Sequence, residues 1–198
     1  MNKTLLYYSQ NAANFIASTQ NVDMSSIQNE FISLLPPNSL ILDLGCGSGR
    51  DSLAFLQKGF LLEAVDACKE FCDATKRLTS DFLPSIQIYQ MDFSELSAFQ
   101  KYDGVWACSS LLHLPKKDLP QILKKIEESL KADGIFYCSF KHGSFEGERN
   151  GRYFSDFTED EFCSLVQKST DFTLKKLWIT TDARPERTEK WINTIWEK

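Results

Sequence analysis

Short apolar runs alternate with amphipathic stretches along the first two thirds of the chain. Apolar runs that end in a polar residue are typical of strands buried on both faces of a parallel sheet. Strands are predicted at about 39–44, 61–66, 86–90, 104–108 and 135–140. Helix-spaced apolar residues predict helices over 23–35, over 49–58 and after Asp118, which can cap its helix. The alternation indicates a doubly wound α/β sheet.

The pattern changes after the fifth predicted strand. Residues 143–157 are polar, glycine-containing and rich in aromatic side chains, which predicts a loop. Thr158 and Glu161 form a capping-box pattern that predicts the start of a helix. Two further strands, 172–179 and 190–197, are predicted around a charged turn.

Length and composition narrow the class of protein. The chain has 198 residues, enough for one domain with a substantial core, and a formal net charge of −5. The sequence shows no membrane-spanning run and no signal-peptide core, so we expect a cytoplasmic protein without a membrane partner. The negative charge disfavours a nucleic-acid partner without excluding a small basic mouth. Monomer and homodimer both stay open.

The six cysteines are scattered, with no Cys-x-x-Cys pair and only two histidines in the chain. Metal sites built from cysteine and histidine need closely spaced ligands. We therefore expect reduced, structural thiols and no metal.

The segment from Leu40 to Asp51 is the most informative part of the chain. A predicted strand ends here in the glycine turn Gly45-x-Gly47-x-Gly49. Glycines allow a sharp turn and a close approach of ligand to backbone, and the free amides of a following helix would face that turn. A nucleoside cofactor site is expected. The dinucleotide fingerprint would need another glycine at position 50, where this chain has Arg50.

The spacing of this turn resembles motif I of the class I S-adenosylmethionine (SAM)-dependent methyltransferases, and the resemblance covers about residues 36–198. The chain is similar to the small, single-domain type, such as tellurite-resistance-type and other small-molecule methyltransferases. This implies a Rossmann-like sheet of seven strands, mostly parallel with an antiparallel last strand, and helices on both faces. The implied single domain, 1–198, has a helical cap (1–36), a SAM-binding half (37–142) and a substrate side (143–198).

The resemblance also implies which residues meet SAM. Asp43 would lie near the methionine ammonium, and the turn around Gly45 would meet the methionine part and the ribose. The cofactor-binding candidates of this turn are Asp43, Gly45, Cys46, Gly47, Gly49 and Arg50. Asp66 ends the second strand, where it can accept both ribose hydroxyls or cap the next helix, and Ala67 would flank the adenosine.

The next strand ends supply the remaining cofactor candidates. Asp92 would accept from the adenine amine and the Phe93 amide would meet a ring nitrogen, although Asp92 can also form a simple turn. Cys108, after the fourth strand, would border the sulfonium. Tyr8 would belong to an N-terminal flap over SAM, together with Tyr7 and Asn11.

The acceptor side is less defined. His113 and His142 are the catalytic candidates, and His113 can alternatively orient its loop. The segment 149–154 is predicted to form a lid over the cleft. The charged segment 184–187 can hold an anionic acceptor or be a charged turn.

Together these features predict transfer of a methyl group from SAM to a small molecule, leaving S-adenosylhomocysteine. One alternative is a macromolecular acceptor, tRNA or protein, bound by a face that combines the lysine pairs 116–117, 124–125 and 175–176 with Arg184 and Arg187. Another is a SAM-binding partner subunit without catalysis. Arg50 disfavours a nicotinamide dehydrogenase.

Overall fold

The computed structural model describes residues 3–184 and 186–198. Met1, Asn2 and Pro185 lie outside these ranges, so the N-terminal cap is described from Lys3 and the segment 184–187 without its proline. The helices are α1 (Lys3–Thr19), α2 (Ser25–Ile32), α3 (Arg50–Gln57), α4 (Lys69–Leu78), α5 (Leu119–Ser129) and α6 (Glu159–Ser169). The strands are β1 (Leu40–Leu44), β2 (Leu61–Asp66), β3 (Ile86–Gln90), β4 (Tyr102–Ala107), β5 (Leu130–Lys141), β6 (Glu146–Arg149), β7 (Arg152–Ser155), β8 (Thr173–Thr181) and β9 (Lys190–Glu197).

Seven strands form one sheet in the order β3-β2-β1-β4-β5-β9-β8. Strands β1 to β5 pair in parallel, whereas β9 is antiparallel to both β5 and β8. The last strand alone therefore runs against the others. This confirms the predicted Rossmann-like fold with an antiparallel last strand.

The apolar runs become strands because both faces of the sheet are covered. Leu42 and Leu44 of β1 join a core cluster with residues of α5 and α6, while Ile41 joins a second cluster with residues of α2 and α3. In the second cluster the Trp106 ring stacks on Tyr137, with 4.0 Å between ring centroids. Burial on both faces explains why the inner strands β1, β2, β4 and β5 lack a polar alternation, which the edge strand β3 retains.

The predicted loop at 143–157 was wrong. Strands β6 and β7 form a two-stranded hairpin there, with Arg149 opposite Arg152. The two residues between them, Asn150 and Gly151, have φ angles of 52° and 77°. Asn-Gly with positive φ at both positions is the preferred turn of a two-residue hairpin. The Asn-Gly pair was the signal for this hairpin in the sequence.

Two helix starts differ in how they are capped. Thr158 Oγ1 accepts a hydrogen bond from the Glu161 amide at the start of α6, as predicted. Asp118 occupies the N-cap position of α5, but its side chain makes no capping hydrogen bond within the described residues. Pro120 lies in the first turn of that helix, where proline is favourable because its position needs no amide donor.

Candidate active site

A cavity of about 570 Å³ lies at the carboxyl ends of the parallel strands. Its wall includes the segments that follow β1, β2, β3 and β4, together with residues of α1, of β7 and of the β8–β9 connection. The strand order reverses between β1 and β4, the position where open α/β sheets bind ligands. The volume falls within the ~300–1,000 Å³ of small-molecule sites.

Most of the predicted site residues line this cavity. They are Tyr8, Gly45, Cys46, Gly47, Arg50, Asp66, Ala67, Asp92, Phe93, Cys108 and His113. Asp43, Gly49 and His142 are absent from the lining. The structure therefore brings the segments after four strands together, and it places three of the predicted residues behind or beside the cavity wall.

Two glycines of the turn are required by sterics. Gly45 has φ +91°, and a Cβ atom there would lie 2.4 Å from the Ser110 Cβ. Gly49 has φ +78°, and its added Cβ would lie 3.0 Å from the Thr75 Cα of α4. Gly45 thus permits the turn beside the cavity, whereas Gly49 permits close packing of α3 against α4.

Asp43 lies beneath the turn with only 2% of its surface exposed. Ser52 Oγ donates to Asp43 Oδ2 at 2.6 Å. Burial, reinforced by the nearby Asp51 charge, raises the pKa of Asp43 to about 7 despite this hydrogen bond. Asp43 is thus an acid in close balance between its neutral and charged forms near neutral pH.

Asp51 is a buried carboxylate that sequence reasoning missed as a site residue. Its two oxygens accept from Arg50 Nε and Nη2 (2.8 Å each), Gln28 Nε2 (2.7 Å) and Trp106 Nε1 (3.0 Å). Burial favours the neutral acid, but the Arg50 charge and these hydrogen bonds hold the pKa of Asp51 below its ordinary value. The network fixes Arg50 at the cavity wall, where Nη2 is 3.9 Å from Cys108 Sγ.

Asp66 accepts two backbone amides, from Cys68 to Oδ1 at 2.8 Å and from Gly47 to Oδ2 at 3.0 Å. Burial nevertheless raises the pKa of Asp66 to about 6. An ionised carboxylate has about four acceptor positions, so each oxygen keeps capacity for one further donor. The carboxylate can thus join the glycine turn to α4 and still accept hydroxyl groups.

Asp92 forms the local turn that was the alternative to a contact with adenine. Its Oδ1 accepts from the Ser94 amide (2.9 Å) and hydroxyl (2.6 Å), while the Asp92 amide donates to Glu95. The side chain is exposed and lines the cavity together with Phe93. The turn holds both residues at the cavity mouth, and contact with a base stays a prediction.

A chain of hydrogen bonds joins Tyr8, His113 and Arg152 at the cavity wall. Tyr8 Oη lies 2.7 Å from His113 Nε2, and His113 Nδ1 lies 2.7 Å from the Tyr153 carbonyl oxygen. Since a carbonyl only accepts, Nδ1 carries the proton and Nε2 accepts from Tyr8. Arg152 Nη1 in turn donates to Tyr8 Oη at 3.3 Å.

Burial lowers the pKa of His113 to about 4, and the positive charges of Arg152 and Lys141 add to this effect. The hydrogen bond to Tyr153 works in the other direction but is outweighed. His113 is therefore a neutral imidazole at pH 7, and its Nε2 can take a proton from Tyr8, the group that already donates to it.

His142 lies away from this arrangement. Its Nε2 is 3.0 Å from Glu159 Oε2 at the start of α6, and its side chain is 35% exposed. His142 continues β5 and bridges to Phe157 rather than turning into the cavity. The preceding residue, Lys141, is the one that lines the cavity.

The predicted lid divides between two environments. Arg152 and Phe154 of β7 line the cavity. Tyr153 has its amide bonded to Thr4 of α1 and its hydroxyl bonded to Glu146, and Arg149 pairs with Asp156 at 2.9 Å. The hairpin is therefore attached to α1 and to itself while it presents alternate residues to the cavity, as a β-strand must.

The six cysteines are free thiols, of which Cys46, Cys68 and Cys108 line the cavity. Burial raises the pKa of Cys108 to about 11, which makes it a poor nucleophile at neutral pH. Within residues 3–184 and 186–198, no helix combines the length and the apolar character needed to cross a membrane.

Comparison with known proteins agrees with this geometry. The family model described as a methyltransferase domain matches residues 41–134, which run from β1 into β5. A solved structure, the 1,6-didemethyltoxoflavin-N1-methyltransferase of Burkholderia thailandensis with bound S-adenosylhomocysteine, superposes with a TM-score of 0.83 over 99% of this chain and 86% of its own, at 22% identity. The domain match and this fold support a class I SAM-dependent methyltransferase.

Two curated relatives of this chain extend the comparison. YqeM of Bacillus subtilis (strain 168), named as a methyltransferase, is 32% identical over 141 residues, which are 68% of this chain and 55% of YqeM. Alpha N-terminal protein methyltransferase 1 of Drosophila melanogaster is 31% identical over 109 residues, 52% of this chain and 39% of the relative. The matched regions thus span about half or less of these relatives' length.

Proposed function

We propose that this chain binds SAM in the cavity and transfers its methyl group to a small-molecule acceptor. The observation that carries the proposal is the cavity itself. One wall is the glycine turn with Asp66 and Asp92 at successive strand ends, and the other wall holds a neutral histidine. The first wall suits a nucleoside, and the second supplies groups for a second molecule.

The residues present fit SAM. Asp66 keeps acceptor capacity for ribose hydroxyls beyond its two amide bonds. Arg50, held by Asp51, offers a cation beside Cys108 that suits a carboxylate. Asp43 sits beneath the turn with a pKa of about 7, so a nearby ammonium group would favour its charged form. When bound, SAM supplies an electrophilic methyl group.

The protein's own contribution would be positioning and proton handling. His113 Nε2 accepts the hydrogen bond from Tyr8 Oη at 2.7 Å. A proton leaving the acceptor would pass to Tyr8 Oη while Tyr8 gives its own hydroxyl proton to His113 Nε2, since the imidazole is neutral and Nδ1 is already protonated. Tyr8 and Phe154 would exclude water from the reacting groups.

A small acceptor is favoured over a macromolecule by the surroundings of the cavity. Helix α1, which also packs against the glycine turn and α4, and the β6–β7 hairpin both line the cavity. Three of the six lysines that were predicted to form a basic face pair with carboxylates: Lys116 with Glu161, Lys175 with Glu197 and Lys176 with Glu30. Such pairing reduces the free charge that a phosphate backbone would meet.

Titration calorimetry with S-adenosylhomocysteine and with NAD tests the proposal. We expect S-adenosylhomocysteine to bind and NAD to give no signal, because Arg50 stands where the dinucleotide fingerprint needs glycine. Binding of NAD with no signal for S-adenosylhomocysteine would overturn the proposal.

A peptide N terminus is the second candidate acceptor, favoured by the likeness to the Drosophila protein methyltransferase. Incubating a cell extract with the protein and tritiated SAM separates the two candidates. We expect the label in an acid-soluble product that chromatography separates from SAM and that forms only when the protein is added. Label in acid-precipitated, RNase-resistant material would instead favour the protein acceptor.

A further inference from the structure

Five cationic side chains line the cavity: Arg50, Lys141, Arg152, Arg184 and Arg187. Four of them pair with carboxylates. The pairs are Arg50 with Asp51, Lys141 with Glu189 (3.1 Å), Arg184 with Asp182, and Arg187 with Glu189 (3.8 Å). Within the part of the chain that the structure describes, Arg152 has no carboxylate partner among the ion pairs closer than 4.0 Å.

Arg152 is held by aromatic rings instead. Its guanidinium carbon lies 4.8 Å from the Tyr7 ring centroid and 5.0 Å from that of Phe154. Its polar contact is the long hydrogen bond from Nη1 to Tyr8 Oη at 3.3 Å. The Arg152 Nε atom is buried and has no hydrogen-bond partner among the described residues.

A buried donor without a partner is costly, and a guanidinium presents its donors in a fixed fork that matches an oxyanion. The rings around Arg152 fix the fork without using it, since ring faces accept no ordinary hydrogen bond. The position is next to Tyr8, which bonds His113, the proton acceptor of the proposed reaction. An anion bound here would place its molecule beside that histidine.

We propose that Arg152 binds an oxyanion, a carboxylate or a phosphate monoester, on the acceptor molecule, so that the acceptor of this methyltransferase is a small organic acid. The inference rests on the proposed function, because it names the substrate class of that same cavity. The proposed anion site is therefore in the β6–β7 hairpin and not in the segment 184–187, where Arg184 and Arg187 are already paired.

Such an anion would also act on His113. The positive charge of Arg152 is one of the causes that keep the pKa of His113 low, after burial. Neutralising that charge would raise the pKa and make Nε2 a stronger base. Binding of the acidic acceptor to Arg152 would then itself increase the basicity of His113.

The test uses four probes with one aromatic body each: benzoate, phenyl phosphate, benzamide and benzyl alcohol. Their binding to the wild-type protein saturated with S-adenosylhomocysteine is measured by ligand-observed NMR. The same measurement is made on Arg152→Gln, on Arg152→Lys and on Arg77→Gln, which removes the same charge from the exposed end of α4. S-adenosylhomocysteine affinity is measured for each variant by calorimetry.

We expect one of the two anions to bind about tenfold more tightly than the neutral probes, as a charge-assisted bidentate contact implies. Which anion binds distinguishes a carboxylate from a phosphate acceptor. Arg152→Gln should remove the preference, Arg152→Lys should retain part of it, and Arg77→Gln should leave it intact. S-adenosylhomocysteine should bind all four proteins alike.

Equal binding of anionic and neutral probes to the wild-type protein, or binding of neither in the millimolar range, would overturn the inference. So would a loss of S-adenosylhomocysteine affinity in Arg152→Gln, since Arg152 would then serve the cofactor. Failure of the proposed function looks different, because S-adenosylhomocysteine would then not bind the wild-type protein at all.

Discussion

The two sides of the cavity are named here after the molecules that we propose they bind. The cofactor wall is formed by residues 45–48, 50–51, 66–68 and 92–93, and the acceptor wall by Tyr8, His113, Arg152 and Phe154. Each segment of the cofactor wall directly follows its own strand, and its groups are bonded to nearby backbone or to a buried neighbour. The acceptor wall is formed by α1, the segment after β4 and the hairpin. Individual hydrogen bonds between residues far apart in the sequence join these three elements.

The two walls also differ in how far their polar groups are satisfied. On the cofactor wall, Asp51 accepts four hydrogen bonds and Asp66 accepts two from backbone amides. On the acceptor wall, Arg152 keeps a buried donor without a partner. A site for an invariant cofactor can be fixed in advance, whereas the acceptor wall retains unsatisfied groups that a second molecule can complete.

A substitution in the glycine turn of the cofactor wall should cause the largest loss of stability. Gly45→Ala places a Cβ 2.4 Å from the Ser110 Cβ at a φ of +91°, so we expect a loss of about 3–5 kcal/mol in the free energy of unfolding. Gly47→Ala is the matched control, because its nearest neighbour would be 3.7 Å away. Urea unfolding of both variants measures the difference. Equal stabilities would show that Ser110 moves aside freely.

Asp43→Asn tests whether the pKa of the buried Asp43 carboxyl is raised in the folded protein. The folded protein keeps the Asp43 proton up to about pH 7, whereas the unfolded chain loses it near the ordinary value of 3.8. Raising the pH from 5 to 7.5 should therefore destabilise the wild-type protein relative to Asp43→Asn by about 2–3 kcal/mol.

Urea unfolding of wild type and Asp43→Asn without ligand, at several pH values, measures this difference. His113, whose pKa is lowered, acts with the opposite sign but is present in both proteins, so it cancels. Asp81→Asn at an exposed position is the control and should show no such change. A constant difference between wild type and Asp43→Asn would mean that Asp43 titrates normally.

Asp66→Ala should weaken binding of S-adenosylhomocysteine by about 1.5–3 kcal/mol, the scale of charge-assisted hydrogen bonds. Calorimetry measures the effect, with Asp81→Ala as the control for loss of a carboxylate. Part of the loss would come from the freed amides of Gly47 and Cys68. Unchanged affinity would leave Asp66 as a structural link between the turn and α4.

The smallest expected effect lies on the acceptor wall. Binding of S-adenosylhomocysteine should increase hydrogen-exchange protection of the amides in 149–154 by ~1 kcal/mol, because the hairpin is held to α1 by the Tyr153–Thr4 bond beside the cavity. Helix α6, away from the cavity, is the internal reference. Equal protection with and without ligand would mean that the hairpin closes independently of the cofactor.

Sequence reasoning performed differently on the two walls, for a physical reason. Buried strands and the glycine turn have local signatures, so β1 to β5, the sheet class and nine of the turn and strand-end residues on the cavity wall were predictable. Asp51 was missed because its partners, Gln28 and Trp106, are 23 and 55 residues away. His142 was misplaced because it directly follows Lys141, and adjacent residues of an extended chain point in opposite directions.

The Gln28–Asp51 bond gives α2 a part in the cofactor wall from outside the segment that the family model matches. Shortening the protein to the segment from residue 37 onward would leave the glycine turn complete in sequence. It would also remove one of the four donors that keep Asp51 charged, and with it part of the support for Arg50. A fragment that contains only the matched segment would therefore keep the glycine turn but lose a hydrogen bond that positions Asp51 and, through it, Arg50.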